Sequence, residues 1–164
     1  MNRGFTLIEM LVCLAIIVIL TGIVIFNIGS QRQNSALLRS AQKLSLDLRR
    51  AQTYALASKK FKTDSDVPWG WGVHLFGAGS GNYVIFADRD NNKIRTNDNE
   101  DLETVNFEKG TSLNFSNIND VVFIPPDPIV TFTPDQTSAS IVLINKDGAT
   151  RTININKTGF ISSL

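Results

Sequence analysis

Gly4-Phe5-Thr6-Leu7-Ile8-Glu9 opens an apolar run that continues as Met10-Leu11-Val12-Cys13-Leu14-Ala15-Ile16-Ile17-Val18-Ile19-Leu20 and reaches about Phe26. At about 1.5 Å per residue, a helix of that length spans roughly 30 Å, the thickness of a bilayer core. One carboxylate, Glu9, stands at its start. An ionised group in lipid costs at least about 2.5 kcal/mol, so its default reading is functional and calls for a partner. Three readings of this segment compete. A secretory signal has a shorter apolar stretch followed by a small-residue cleavage site; this run is longer and no such site follows it. A plain transmembrane anchor fits the length but has no use for Glu9. The third reading is a polar leader, Met1-Asn2-Arg3-Gly4, cut before an apolar segment that stays in the mature chain.

The string Gly4 to Glu9 resembles the prepilin cleavage motif of type IV pilins and the related pseudopilins, at all six positions and in the correct place. The resemblance implies that a prepilin peptidase cleaves between Gly4 and Phe5 and methylates the new amine of Phe5. Glycine suits the first position because it has no side chain to obstruct the enzyme. The resemblance also implies that Glu9 pairs with the N-terminal amine of a neighbouring subunit in a filament and so sets its register. Two buried opposite charges compensate each other, whereas one left alone is strongly destabilising. A carboxyl neutralised by protonation is the alternative.

Beyond the apolar run the pattern becomes amphipathic. Leu37, Ala41, Leu44, Leu48, Ala51 and Ala55 recur at spacings of four, three, four, three and four, a continuous stripe on one helix face. No proline interrupts Phe5 to Ser58, so one long helix is expected there, with Gly22, Asn27 and Gly29 as weak points. The chain of 164 residues then has room for one globular domain of roughly 100 residues. The expected division is a leader at 1–4, a transmembrane and filament-core helix at 5–28, the amphipathic half of that helix at 29–60, and a β-rich domain at 61–164.

Asp64-Ser65-Asp66-Val67-Pro68 ends the helical pattern with a turn. Short strands are expected at Trp71–Phe76, Tyr83–Ala87, Leu102–Glu108, Ser112–Phe115, Val121–Ile124, Ile129–Phe132, Ser140–Asn145, Thr150–Asn156 and Gly159–Ser162. Asn145-Lys146-Asp147-Gly148 is a hairpin turn signal, which makes the last three strands a meander. Pro125, Pro126 and Pro128 mark a loop or sheet edge. The fold class is therefore α+β: a long N-terminal helix packed on an antiparallel β-domain. Trp69-Gly70-Trp71-Gly72-Val73-His74-Leu75-Phe76 and Tyr83-Val84-Ile85-Phe86-Ala87-Asp88 resemble the GspH/FimT family of minor pseudopilins and minor pilins. That resemblance implies a β-sandwich of two antiparallel sheets. It covers nearly the whole chain, is carried least by residues after Asn106, and extends to a closing Gly159-Phe160-Ile161. Trp69 and Trp71 are expected in the core or on a sheet face rather than as a ligand platform.

Net charge is +1, which gives no global electrostatic signature, but the charge is unevenly spread. Arg32, Arg39, Lys43, Arg49, Arg50, Lys59, Lys60 and Lys62 form a basic stretch opposed only by Asp47, while Asp64 to Asp101 is acidic. A basic stripe can bind DNA; it can equally be a solvated helix face or meet an acidic neighbour. Lys146, Arg151 and Lys157 are a second, weaker basic candidate. The single cysteine, Cys13, lies in the apolar run, and the single histidine, His74, has no cysteine or second histidine near it, so a zinc site is not expected. No nucleophile–base pairing is apparent, and an enzyme is not expected.

Asp88-Arg89-Asp90-Asn91-Asn92-Lys93-Ile94-Arg95-Thr96-Asn97-Asp98-Asn99-Glu100 is the other segment with chemistry in it. Asp88, Asp90 and Asn92 match the first three ligand positions of a calcium loop, Ile94 would offer its backbone carbonyl, and Glu100 would close the site. Two departures stand against this: Lys93 replaces the glycine of the sharp turn, and Glu100 comes one residue late. The alternative is a solvated acidic hairpin loop.

The function expected is that of a minor pseudopilin in a type II secretion pseudopilus. It would sit once through the bacterial inner membrane with its β-domain outside the cytoplasm, and its partners would be prepilin peptidase, an inner-membrane assembly platform and other pseudopilins. A minor pilin of a type IV pilus, serving adhesion, motility or DNA uptake, is the alternative. A membrane-anchored binding domain is a third reading, which would need a cleft of converging groups that the sequence does not offer.

Overall fold

Thr6 starts the first element and Ser58 stops it. The computed structural model describes residues 5–62, 64–126 and 129–164, with the side chains of residues 23–30 outside that description. The leader with its cleavage residue Gly4, Pro128, and the side chains beyond Gly22 in the expected membrane span therefore lie outside the described residues. Helix α1 runs Leu7–Leu56 as one element of 50 residues, about 75 Å long, and passes through Gly22, Asn27 and Gly29 without a break. Among the described residues no helix is long and apolar enough to cross a membrane; the described side chains of the apolar half stop at Gly22.

The C-terminus of α1 is a Schellman turn. The Ser58 amide donates to Ala55 O and the Lys59 amide to Tyr54 O, with Ser58 in the left-handed conformation at φ 45°. A serine does here what glycine usually does, so the sequence carries no glycine to mark the end.

Nine strands follow: β1 (Gly70–Leu75), β2 (Asn82–Asp88), β3 (Asp101–Asn106), β4 (Thr111–Ser116), β5 (Asp120–Ile124), β6 (Ile129–Thr133), β7 (Ser138–Asn145), β8 (Thr150–Asn156) and β9 (Ile161–Ser163). They form two antiparallel sheets, ordered β3-β2-β1-β5-β6 and β4-β7-β8-β9, and the last three strands are the expected meander. At the β7–β8 turn only Gly148 adopts positive φ (83°); the Asn145 side chain completes the turn by accepting from the amides of Asp147 and Ala149.

One core joins the helix and both sheets. Leu37, Ala41, Leu44, Leu48, Ala51 and Ala55, the whole amphipathic stripe, are buried together with Val73, Ile85 and Val121 of one sheet and Leu143, Ile153 and Ile155 of the other. Alternation along β1 sends Trp71, Val73 and Leu75 into this core. On the opposite face Gly72 leaves space that Phe86 fills: a Cβ on Gly72 would lie 2.5 Å from Val121 O and 2.8 Å from the Phe86 ring. Val84, Phe86 and Val122 thus make a second buried cluster on that face. Trp69 corrects the expectation that paired it with Trp71. It is 59% exposed while Trp71 is 1% exposed, because β1 begins at Gly70 and Trp69 lies just before the strand.

Helix and sheet are also joined by polar contacts. Tyr83 Oη donates to Asp47 Oδ2 at 2.6 Å in the interior. Burial, and next the Asp47 carboxylate, push the Tyr83 hydroxyl well above its ordinary range, so it stays a donor. The folded chain favours the protonated phenol, so stability is full below the unfolded value of about 10 and falls as pH rises above it. Tyr83→Phe strands a buried carboxylate oxygen and is expected to cost about 1–3 kcal/mol. Urea denaturation of the full chain in detergent reads this as a lower midpoint; an unchanged midpoint would show that the contact does not pin the helix.

Two arginines of the basic stretch find acids within the same chain. Arg39 makes a two-pronged pair with Glu108 (2.6 Å for each contact), and Arg50 meets Glu103 at 2.8 Å. Lys59 lies 3.6 Å from the centre of the Tyr54 ring, and Arg49 donates to Ile161 O. Arg39, Arg49 and Arg50 thus fasten the helix to the β-domain, while among the described residues Arg32, Lys43, Lys59, Lys60 and Lys62 make no ion pair.

Candidate functional site

The N-terminal turn of α1 is more ordered than its sequence role required. Thr6 is the N-cap, and its Oγ1 accepts from the Glu9 amide at 3.3 Å. Glu9 Oε2 in turn accepts from the Thr6 amide and from Thr6 Oγ1, each at 3.4 Å. This is a capping box, two orphan helix donors satisfied reciprocally. The Thr6-Leu7-Ile8-Glu9 spacing is the sequence form of this motif. The positive end of the helix dipole further favours a carboxylate in this first turn. Glu9 therefore has a local resting place, contributed by its own backbone.

Every residue from Phe5 to Thr21 is exposed. Leu7, Ile8, Leu11, Leu14, Ile17 and Val18 of this half-helix are turned in all directions and are exposed, covered by no other described residue. A helix apolar all round is stable only when buried, in lipid or among other helices. Cys13 sits on this surface as a free thiol. Thr21 satisfies its hydroxyl on the carbonyl of Ile17 at 2.7 Å, the usual arrangement in an apolar setting.

The second cluster is the acidic loop between β2 and β3, which is docked rather than loose. The Arg95 amide donates to Asp120 Oδ1, the atom that also meets His74 Nδ1 at 2.8 Å, and Thr133 Oγ1 donates to Lys93 O. Arg95 stacks on Phe76 and holds Asp101 through two contacts at 2.6 and 2.8 Å, with Asp98 alongside. These ties fold the loop back over the outer face of the five-stranded sheet. The acidic loop is thus anchored as a strap, while its residues 89–94 and 96–99 stay exposed to solvent as expected of a solvated hairpin.

Within the strap the structure brings Asp88, Asp90 and Glu100 together: one carboxylate oxygen from each lies within 4.8 Å of the others. A 3-10 turn at Asp98–Glu100 retracts the chain and carries Glu100 back to the cluster, which removes the objection that it arrives one residue late. Lys93 takes φ 64°, as does Asn91, so the sharp turn forms without the expected glycine. Asn92 has a different role from the one expected of it. Its Nδ2 donates to Asp90 Oδ2 and its Oδ1 accepts from the Ile94 amide, so it braces the loop rather than offering a free oxygen. Ile94 enters through that amide.

Burial, foremost, and the neighbouring Asp90 push the Asp88 carboxyl above its usual range, against the lowering effect of the Lys93 and Asn91 amides. The second basic candidate does not gather: Lys157 is paired with Asp135 at 2.9 Å, and Lys146 and Arg151 make no ion pair among the described residues.

Residues 1–25 match a family described as the prokaryotic N-terminal methylation motif. No curated protein and no solved structure matches the chain. The motif match supports a type IV pilin-like or pseudopilin protein, with processing by prepilin peptidase and assembly with other pilins. It covers the N-terminal segment and not the β-domain.

Proposed function

We propose that this chain is a minor pseudopilin, a structural rather than catalytic subunit of a type II secretion pseudopilus. The observation that carries the reading is the exposed apolar half of α1, beginning at a methylation motif and carrying Glu9 in its first turn. In this reading the apolar half-helix stores the processed subunit in the bacterial inner membrane, with the β-domain outside the cytoplasm. Cleavage after Gly4 creates an amine at Phe5. On assembly Glu9 exchanges its capping-box contacts to Thr6 for the amine of a neighbouring subunit. That exchange fixes the axial offset, and the apolar helices bundle at the filament centre. The polar ties between the second half of α1 and the sheets keep the β-domain rigidly attached as the helix is drawn out of the membrane by the assembly platform.

A clean deletion in the native host, scored in parallel for secreted proteins and for surface pili, tests the choice of system. Loss of secretion with pili intact is expected. Loss of pili, motility or DNA uptake with secretion intact would overturn the assignment and place the subunit in a type IV pilus. Direct DNA binding through the basic stretch is not part of the proposal, because Arg39 and Arg50 are engaged by Glu108 and Glu103.

A further inference from the structure

We infer that the strap from Asp88 to Glu100 is a calcium site in which Asp88, Asp90 and Glu100 supply the carboxylate ligands. The cluster alone would not carry this. The second observation is Asp88 Oδ1, a carboxylate oxygen buried without any hydrogen-bond partner on a residue that is 1% exposed. Its companion Oδ2 accepts from the Lys93 amide at 3.1 Å, so the residue is held in place with one oxygen left over. A buried, unsatisfied carboxylate oxygen is costly unless something positive meets it. No arginine or lysine does so: among the described residues none pairs with Asp88, Asp90 or Glu100, although Arg89 and Arg95 lie on the same loop and pair with Asp64, Asp98 and Asp101 instead.

The geometry fits the ion. Calcium binds oxygen at about 2.3–2.6 Å, so two ligands of one ion are at most about 5 Å apart. The three carboxylate oxygens lie within 4.8 Å of one another. Glu100 is 3% exposed and is oriented by two backbone amides, with Thr96 N donating to Oε2 at 2.8 Å and Arg89 N to Oε1 at 3.4 Å. Asp90 is exposed and closes the site from the solvent side, which leaves a route for entry and for water ligands. Calcium accepts such an irregular, mixed shell, whereas magnesium demands near-octahedral geometry at shorter distances and gives up its waters reluctantly. The ion would lock the strap onto the outer face of the sheet.

The test is thermal melting of the full chain in detergent with 10 mM calcium chloride, 10 mM magnesium chloride or chelator, backed by calorimetric titration with calcium. Calcium is expected to raise Tm by about 5 °C over chelator, magnesium to do much less, and the titration to give one site per chain. Asp90→Asn is expected to lose most of the calcium shift, read as the difference between that variant's own calcium and chelator melts. Coincident melts in calcium and chelator, no calorimetric binding, an equal shift with magnesium, or an undiminished shift in Asp90→Asn would each overturn the assignment. None of these outcomes depends on which filament the chain joins.

Discussion

Glu9→Ala is expected to leave the chain inserted and processed and to remove it from filaments. In the assembled state proposed here the alanine would face a neighbour's Phe5 amine in an apolar helix bundle. Breaking a buried pair by removing one partner costs about 3–5 kcal/mol, a loss of roughly 10²-fold to several thousand-fold in the equilibrium for adding the subunit. The monomer loses much less. Glu9 supplies one half of a capping box whose contacts are long, 3.3 to 3.4 Å, and Thr6 remains as N-cap. The variant thus separates the two roles of one carboxylate. Membrane fractionation should recover it at the parental level, and sheared filament preparations should lack it. Parental amounts in filaments would show that Glu9 is dispensable for assembly.

Gly4→Leu is expected to stop the pathway one step earlier. The scissile bond precedes Phe5, and a branched side chain at the preceding position enters the space that glycine leaves open for the peptidase. The uncut chain keeps Arg3 and three further leader residues ahead of the helix, so no amine forms at Phe5 and the Glu9 of a neighbour has nothing to meet. Immunoblots of cells carrying the variant should show only full-length precursor in the membrane. Gly4→Ala, a single methyl, is expected to slow processing mildly. Complete cleavage of Gly4→Leu would contradict the motif reading.

Much of this fold was legible because it is written in local periodicity. The stripe from Leu37 to Ala55 is buried as a unit, and every expected strand exists within about two residues of its expected position, because alternation and turn residues report on burial directly. The misreadings share a cause: each depends on a contact distant in sequence or on an unusual backbone. Trp69 and Trp71 have the spacing of one strand face, but the strand starts between them. The acids that answer Arg50 and Arg39, Glu103 and Glu108, lie 53 and 69 residues further along the chain. Ser58 and Lys93 occupy left-handed positions usually marked by glycine, so the helix ends within two residues of Ser58 with no glycine to mark it, and the turn at Lys93 forms without the glycine whose absence stood against it. The docking of the acidic strap needs Asp120, which sequence gives no reason to connect with Arg95. At the N-terminus the motif itself was legible in Gly4 to Glu9, and residues 1–25 match the methylation-motif family. The capping box is legible there too, as the Thr-x-x-Glu spacing of Thr6-Leu7-Ile8-Glu9.

The central claim is that this chain begins its working life at Phe5. Purifying it from the membrane of the native host and sequencing its N-terminal peptide by mass spectrometry tests this most directly. The expected peptide begins with N-methylated Phe5 and lacks Met1 to Gly4, and it should revert to the full-length start when the host's prepilin peptidase is removed. An N-terminus at Met1 in wild-type cells, or a cut at any other bond, would contradict the filament-subunit reading at its root.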